Sequence, residues 1–403
     1  MKRTVFLVSM FLLSLAVRSQ ENNDSCTLEI SLLTCKPGAD LYSLFGHTAI
    51  RVVDVRRGID VVYNYGTFDD SDPAFYLKFM RGIMRYSLSA ETTENFMQEY
   101  QYEHRGVTAQ VLNLGCNEKN KLFRALRKNT LEENRYYDYF FQNDNCTTRA
   151  GVMIESQSGD SLHFKNILPD PLHSKLTYRD LIHEYLRKEG AAWSEFGIDL
   201  FLGANLDKKI SNMDAIHFLP DYLFKGLDSA VLGNGPLVIS RRTLLNFPDI
   251  EKEAGPFRPL TVFEFIFLTT ILLFIFKSAA PVGNALLVFD IIFFTLLGLL
   301  GVLMLFMWFG RVDDVCSNNM NILWALPTHG VAVFFIRKKT SWVKYYFLFT
   351  AILAALLVAG YPWWPQRLNP AVLPLLGIIL FRSYYQFQIR NHEKANSVPR
   401  EKA

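Results

Sequence analysis

The pattern of apolar and polar positions along the 403-residue chain changes near residue 257. Before this point, apolar residues alternate with polar ones at short periods. After it, only eleven Asp, Glu, Lys or Arg residues occur among the 117 positions from Leu260 to Leu376. Five long apolar stretches follow there, at about 260–276, 284–309, 321–336, 345–361 and 370–387. Because about 17–25 apolar residues span a bilayer as a helix, the pattern predicts an all-α transmembrane domain of five helices.

The front of the chain predicts a mixed α+β domain. The segments His47–Asp54 and Ile59–Tyr65 alternate and are rich in β-branched residues, so that they are typical of two strands joined by a short turn. Helical periodicity appears at Asp72–Arg81, Thr92–Glu103 and Asn117–Asn134.

The first 19 residues predict a secretory signal peptide, because a basic start (Lys2, Arg3) precedes an apolar run of about a dozen residues. An uncleaved anchor helix is the alternative. We therefore expect an exported domain over residues 20–256, the transmembrane domain over 257–390 and a cytoplasmic tail over 391–403.

The charges flanking the apolar stretches predict the orientation. The expected cytoplasmic segments Lys277–Gly283, Arg337–Lys344 and the chain from Arg382 onward carry one, four and five Lys or Arg residues, whereas the two opposite loops carry one each. By the positive-inside rule this indicates a multi-pass protein of the inner (cytoplasmic) membrane with its front domain in the periplasm. The net charge of +3 is too balanced for a dedicated nucleic-acid binder.

Five cysteines lie in the chain, and in an oxidising compartment four of them could pair. The sequence does not determine which cysteines pair. We favour a disulfide between Cys26 and Cys116. Cys146 has a different setting, because it follows Asn143-Asp144-Asn145 and begins a predicted helix. A thiol at a helix N-terminus is favoured as thiolate, the form that a nucleophile needs. A buried or disulfide-bonded structural cysteine is the alternative.

His47, at the start of the first predicted hairpin strand, can accept a proton from a helix-borne cysteine. Asn64 on the paired strand is positioned to orient the imidazole, if the register of the hairpin brings the two together. Three other histidines, His163, His173 and His183, recur every ten residues, a spacing that fits no single helix face. We expect them to be ordinary polar or surface residues, and no motif predicts a metal or an organic cofactor.

The strand His before a helix N-terminal Cys resembles the circularly permuted NlpC/P60 papain-like fold. A longer set of segments resembles the Lnb family, the lipoprotein N-acyltransferases of Bacteroides-type bacteria, in which an exported Cys/His domain precedes a small membrane domain. The matching segments are YSLFGHTAIRV (Tyr42–Val52), YNYGTFD (Tyr63–Asp69), FYLKFMRG (Phe75–Gly82), NRYYDYFFQNDNCTTRA (Asn134–Ala150) and NNMNILWALP (Asn318–Pro327).

The resemblance implies an α+β papain-like exported domain and an activity. An acyl chain would move from a phospholipid, through a thioester on Cys146 with His47 as base, to the amine of a diacylated lipoprotein. The remaining candidates are residues for oxyanion binding or substrate positioning, and two polar residues on the membrane side. They are Tyr42, Ser43, Arg51, Asn145 and Arg149, and then Asn319 and Asp290.

Asp290 is a candidate because a carboxylate within a span is costly in lipid. Two other functions remain open. The first is a membrane-anchored NlpC/P60-like cysteine peptidase or amidase acting on the cell wall, which would use the same dyad with water as acceptor. The second is a non-enzymatic scaffold with Cys146 in a disulfide.

Overall fold

The computed structural model describes most of both predicted domains. The described residues are 26–40, 42–68, 72–169, 175–248, 254–338 and 340–396. The predicted signal peptide and the end of the predicted tail lie outside them.

In the described part of the front domain, ten strands form two sheets. They are β1 (Leu28–Cys35), β2 (His47–Asp54), β3 (Ile59–Thr67), β4 (Arg85–Thr92), β5 (Val107–Leu112), β6 (Tyr136–Asp138), β7 (Leu162–His163), β8 (Val231–Leu232), β9 (Gly235–Pro236) and β10 (Val238–Leu245). Seven of them build one antiparallel sheet in the order β10-β5-β1-β2-β3-β4-β6, and β7, β8 and β9 form a small second sheet. The predicted hairpin is β2–β3, at the centre of the large sheet.

Eight α-helices accompany these strands among the residues that the structure describes there. They are α1 (Phe75–Arg81), α2 (Thr93–Tyr102), α3 (Cys116–Asn129), α4 (Cys146–Ser158), α5 (Tyr178–Lys188), α6 (Ala192–Phe201), α7 (Asn212–Phe218) and α8 (Pro220–Ser229). One face of the sheet packs on α3, α4 and α8 and forms the larger core, whereas α2 covers the other face through Phe96 and Tyr100. The alternation of β2 therefore buries Ile50 and Val52 on the first face and Ala49 on the second. This is the predicted α+β domain.

The back of the chain is helical. Its helices are α9 (Pro259–Ile275), α10 (Ala280–Gly310), α11 (Thr328–Phe334), α12 (Ser341–Ala359) and α13 (Val372–Asn396). By length and composition, α10, α12 and the part of α13 up to Ile389 can cross a membrane. The helix α13 continues past residue 390, where we expected the tail to begin.

The segment expected as the third span, 321–336, is not one continuous helix. It consists of a 3-10 turn at Met320–Leu323 and the seven-residue helix α11, with Pro327 between them. Proline has no amide proton to donate to a helix, so an unbroken helix through this position would lose a hydrogen bond.

The two domains are joined through backbone contacts at several points. Arg311, directly after α10, donates from Nη1 to the carbonyl oxygens of Phe79 (2.8 Å) and Met80 (3.2 Å) in α1. Gly203 packs so closely on the loop after α10 that a Cβ there would lie 1.7 Å from the Ser317 carbonyl oxygen. The front domain is thereby docked on the ends of the apolar helices.

Candidate active site

Cys146 is the first residue of α4, and Asn145 caps that helix. The Asn145 Oδ1 atom accepts from the amides of Thr147 (2.8 Å) and Thr148 (2.9 Å). Its Nδ2 atom donates to two further backbone carbonyl oxygens at 2.9 and 3.0 Å. Both the oxygen and the nitrogen of the Asn145 side chain therefore hold the start of α4. This corrects the expectation that Asn145 donates a hydrogen bond to the oxyanion. The cap leaves the Cys146 thiol at the positive end of the helix dipole.

His47 connects the thiol to Asn64. The imidazole hydrogen-bonds the Cys146 thiol, and its Nε2 atom lies 2.6 Å from Asn64 Oδ1. Since a carboxamide oxygen only accepts, Nε2 carries a proton, and Nδ1 is the nitrogen left for the thiol. Both His47 and Cys146 are half-buried, so the pair can be reached from outside. The structure therefore brings Cys146, His47 and Asn64 into one hydrogen-bonded chain.

The electrostatics of the pair favour an ionised thiol. Burial raises the pKa of Cys146, but the charge of His47, its hydrogen bond and hydrogen bonds from the Thr48 amide and Thr147 outweigh burial, so that the pKa of the thiol is lowered. Burial lowers the pKa of His47, but the charge of Cys146 and the hydrogen bonds to Cys146 and Asn64 raise it above its ordinary value. These opposite shifts are those of a thiolate–imidazolium pair.

Gly66 lies beside this pair. The pairing of β3 with β4 is irregular between Tyr65 and Thr67, and Gly66 there has a φ of +99°. A Cβ at this position would lie 3.6 Å from both Cys146 Cβ and His47 Cε1. Glycine takes this left-handed backbone without strain, and its bare backbone lies against both side chains.

Glu91 extends the series of hydrogen-bonded side chains beyond Asn64. It was not predicted from the sequence. It lies on β4 opposite Val62 of β3, and its carboxylate hydrogen-bonds the Asn64 side chain. Burial raises the pKa of Glu91, and the bond to Asn64 opposes this shift. Since Asn64 Oδ1 faces His47, the Asn64 NH₂ group is the donor to Glu91. The only local signal was one acidic residue in an alternating strand.

Three tyrosines surround the thiol. Burial and then the charge of Cys146 raise the pKa of Tyr86 to about 12, and the same two causes raise those of Tyr137 and Tyr139. The Tyr137 hydroxyl is buried and has no hydrogen-bond partner among the described residues. No role was predicted from the sequence for these three tyrosines, although Tyr137 and Tyr139 lie in the aromatic run Tyr136–Phe141.

The other candidate site residues of the front domain lie in different places and have different partners. Arg149 forms an ion pair with Asp144 (2.5 Å) and lies over the Tyr137 ring (3.9 Å), so that it supports the site. Ser43 is buried and donates to the Asp40 carbonyl oxygen at 3.0 Å. Tyr42 is 65% exposed and bonds the Asp40 carboxylate.

Arg51 is not brought to the site. It lies four residues along β2 from His47 and donates to the Asp60 carboxylate (2.7 and 2.6 Å) and to Thr93. Its guanidinium thus closes the far end of the hairpin, and we correct its expected role in positioning a substrate.

The two membrane-side candidates also have structural partners. Asn319 is buried between the domains and donates to the carbonyl oxygens of Leu200 and Phe201 at the end of α6. Asp290, inside α10, forms a bidentate ion pair with Arg382 of α13 (2.7 and 2.8 Å) and accepts from Gln386. A packing role therefore accounts for each of them, and neither lies at the thiol.

His183 belongs to a second polar cluster. We expected an ordinary polar or surface residue, and the surface alternative is wrong for it. It is 4% exposed, its Nε2 lies 2.8 Å from Asp199 Oδ1 and its Nδ1 lies 3.6 Å from Glu195 Oε1. One ligand atom from each of the three lies within 4.8 Å of the others, as in a metal site. Arg179 pairs with Asp199 and Arg187 with Glu195, each at 2.7 Å, so that both carboxylates already have cationic partners.

The remaining histidine and cysteine predictions have mixed outcomes. His163 is exposed, as expected, and His173 lies outside the described residues. All five cysteines are free thiols in the structure, and the thiols of Cys26 and Cys116 hydrogen-bond each other. The disulfide between these two stays a prediction. The partner of Cys146 is His47 and not another sulfur.

Two family models match the chain. One, described as the Lnb N-terminal periplasmic domain, matches residues 16–184, and one described as the Lnb transmembrane domain matches residues 250–394. No curated protein and no solved structure matches. The first match contains Cys146, His47 and Asn64, and the second contains the helices α9 to α13 through residue 394.

Proposed function

Because the chain belongs to the Lnb family, and is thus a membrane protein with a periplasmic domain, we propose that it is a lipoprotein N-acyltransferase. It moves an acyl chain from a phospholipid to the N-terminal amine of a diacylated lipoprotein. The observation that carries the proposal is the hydrogen-bonded series Cys146–His47–Asn64, in which the pKa of the thiol is lowered. The domain that holds this series is docked on apolar helices. A thiolate beside a membrane suits an ester substrate that resides in the leaflet.

In the first half-reaction the Cys146 thiolate attacks the carbonyl carbon of a phospholipid ester. The carbon–sulfur bond forms and the ester carbon–oxygen bond breaks. The leaving glycerol oxygen takes its proton from the His47 imidazolium, and a lysophospholipid departs. Asn64 holds the imidazole in the orientation that this transfer needs, because it binds Nε2 and leaves Nδ1 facing the sulfur.

In the second half-reaction the lipoprotein amine attacks the thioester carbonyl carbon. The carbon–nitrogen bond forms, the carbon–sulfur bond breaks, and neutral His47 accepts the proton that the amine gives up. The products are an amide on the lipoprotein and a thiolate ready for the next cycle. Neither half-reaction needs a metal or an organic cofactor.

The oxyanion of each tetrahedral intermediate needs fixed donors. The Cys146 backbone amide, at the N-terminus of α4, is one. For a second donor, the Tyr137 hydroxyl is favoured over Tyr42 and Ser43, because it lies near the thiol without a partner among the described residues, whereas the other two hydroxyls bond Asp40.

The proposed location is the inner membrane, crossed several times, with the catalytic domain in the periplasm. The contact between Arg311 and α1 supports it, because the end of a membrane-crossing helix there holds the catalytic domain. The balance of Lys and Arg between the loops supports the same orientation.

The test supplies purified full-length protein with a labelled phospholipid and one of two diacylated lipopeptides, which differ only in a free or an acetylated α-amine. We expect a triacylated product from the free amine alone, since the acetylated peptide lacks the nucleophile. Cys146→Ser is the control and should give no product. Cleavage of a labelled muropeptide without acyl transfer would instead support the peptidase.

A further inference from the structure

A continuous series of aromatic rings connects the thiol to the membrane end of the front domain. We name this series the aromatic ladder, which consists of Phe79, Phe75, Phe68, Tyr86 and Tyr139. Successive ring centroids lie 6.5, 5.7, 5.1 and 4.2 Å apart along it, and three of the four pairs are stacked. The ladder uses four separate parts of the chain, which are α1, the residue after β3, β4 and the segment after β6.

The inner end of the ladder lies at the candidate nucleophile. Tyr86 and Tyr139 pack against the same core as Cys146. The charge of the Cys146 thiolate also acts on both phenols, which places them in its immediate surroundings.

The outer end of the ladder lies where α10 leaves the apolar region. The backbone of Phe79 and Met80 accepts from Arg311, and the Val312 amide donates to the Arg81 carbonyl oxygen at 3.1 Å. Large apolar side chains are exposed at this junction. They include Leu77 (52% exposed), Phe79 (50%), Phe309 (76%) and Val312 (58%). A contiguous exposed apolar patch on a domain docked on membrane helices is a place of contact with lipid.

None of the five ladder residues is fully buried, so each of them keeps some exposed surface between the junction and the thiol. A folded domain gains more by burying such rings in its core, and rings that stay partly exposed offer their uncovered surface to a ligand. The occupant must be apolar, flexible and elongated, and it must enter from the membrane.

We propose that the aromatic ladder binds the acyl chain of the phospholipid donor and guides its ester carbonyl to Cys146. This inference rests on the proposed acyltransferase function and adds to it the surface that recognises a long chain. A donor with short chains reaches the thiol without contacting the outer rings. The ladder therefore contributes to the rate only for long-chain donors.

The experiment compares two donors on full-length protein in detergent. One is a phosphatidylethanolamine with hexadecanoyl chains, and the other is its water-soluble hexanoyl counterpart. Intact-protein mass spectrometry measures the initial rate of Cys146 acylation by each donor. The variants are Phe68→Ala and Phe75→Ala. Phe224→Ala is the matched control, because Phe224 is a half-buried phenylalanine on α8 that contacts Arg241 of β10, at the opposite edge of the sheet.

We expect each ladder variant to lose about tenfold in rate with the long-chain donor, the scale of one lost aromatic contact with its apolar area. The rate with the short-chain donor should stay within about twofold, which also shows that the variant is folded. Phe224→Ala should keep both rates.

Two results would overturn the inference alone: unchanged long-chain rates in both ladder variants, or equal losses with the two donors. If the wild-type protein is acylated by neither donor, the proposed function itself fails, and the inference fails with it.

Discussion

Two histidines in this protein each lie in a chain of polar groups, and their surroundings give them different roles. His47 is half-buried, faces a thiol, and has a carboxamide on its other nitrogen. His183 is almost fully buried between two carboxylates, and both carboxylates have arginine partners. A proton on His47 changes the charge of an accessible pair that contains the proposed nucleophile, whereas both carboxylates around His183 are already paired with arginines. A reactive cluster thus differs from a structural one in two ways: solvent can reach it, and its titratable groups are not all paired with fixed opposite charges.

The largest expected effect concerns the nucleophile on the His47 side of this comparison. We expect Cys146→Ser to abolish acyl transfer while the protein stays folded and inserted, because a serine hydroxyl has a much higher pKa than a thiol and the base here is arranged for a thiol. Transfer assays and thermal unfolding check both parts. Cys316→Ser is a control, since Cys316 is buried away from the site, and should change activity only through stability. Near-normal transfer by Cys146→Ser would refute the assignment of the nucleophile.

Substitutions in the His183 cluster are expected to lower the free energy of unfolding and to leave the reactivity of Cys146 unchanged. Asp199→Ala removes the carboxylate that His183 shares with the fully buried Arg179, which keeps its ion pair with Asp207. Breaking a buried pair by removing one member costs about 3–5 kcal/mol. Denaturant unfolding measures this loss, and the pH dependence of Cys146 alkylation in the folded variant should match the wild type. A shifted pH profile of alkylation with unchanged stability would contradict this separation, because it would show that the His183 cluster influences the Cys146 thiol.

His47→Ala should reduce transfer about a hundredfold, the scale of one general base. It should also move the pH at which Cys146 reacts with iodoacetamide. The charge and hydrogen bond of His47 lower the pKa of the thiol, and burial raises it. Without His47 the burial effect dominates, so the midpoint of alkylation should move to higher pH. His163→Ala is the matched control, because His163 is exposed and lies on β7 in the small second sheet. Equal losses in both variants would indicate misfolding.

The smallest effects are expected at the orienting groups. Asn64→Ala should cost about tenfold, less than His47→Ala, because water can replace part of the hydrogen bond to Nε2. Glu91→Gln should cost less again, since glutamine keeps an oxygen that accepts from Asn64. The two variants should lower kcat more than they change KM, because neither residue reaches the substrate. A loss at Glu91→Gln larger than that at Asn64→Ala would show a role for the charge of Glu91 that does not pass through Asn64.

The sequence predicted those parts of the molecule that depend on local pattern. The alternation of His47–Asp54 and Ile59–Tyr65 predicted the central hairpin, and the polar run before Cys146 predicted the capped helix that carries the thiol. The pairing of His47 with Asn64 was expected only if the register of this hairpin brought them together, and in the structure His47 Nε2 lies 2.6 Å from Asn64 Oδ1. These features need only neighbouring residues, which is why they could be read from the chain.

Features that depend on distant segments could not be read in this way. Glu91 reaches Asn64 only because β4 pairs with β3 in one register, and Tyr137 reaches the site only because β6 pairs with β4. His183 is buried because α6 supplies two carboxylates. Arg51 lies within a recognised segment, yet its charge is matched by Asp60 across the hairpin. A motif identifies a segment, and packing decides which of its side chains face the site.

The most direct test of the central claim is intact-protein mass spectrometry of the full-length enzyme after incubation with phospholipid and no lipoprotein. A thioester outlasts a turnover in a site that excludes water, so the acyl-enzyme should accumulate. The account predicts a mass gain of one fatty acyl chain on Cys146, its release by neutral hydroxylamine, and its discharge by a diacylated lipopeptide with a free amine. A Cys146 that carries no acyl group under these conditions, in a protein that cleaves muropeptides, would contradict the account.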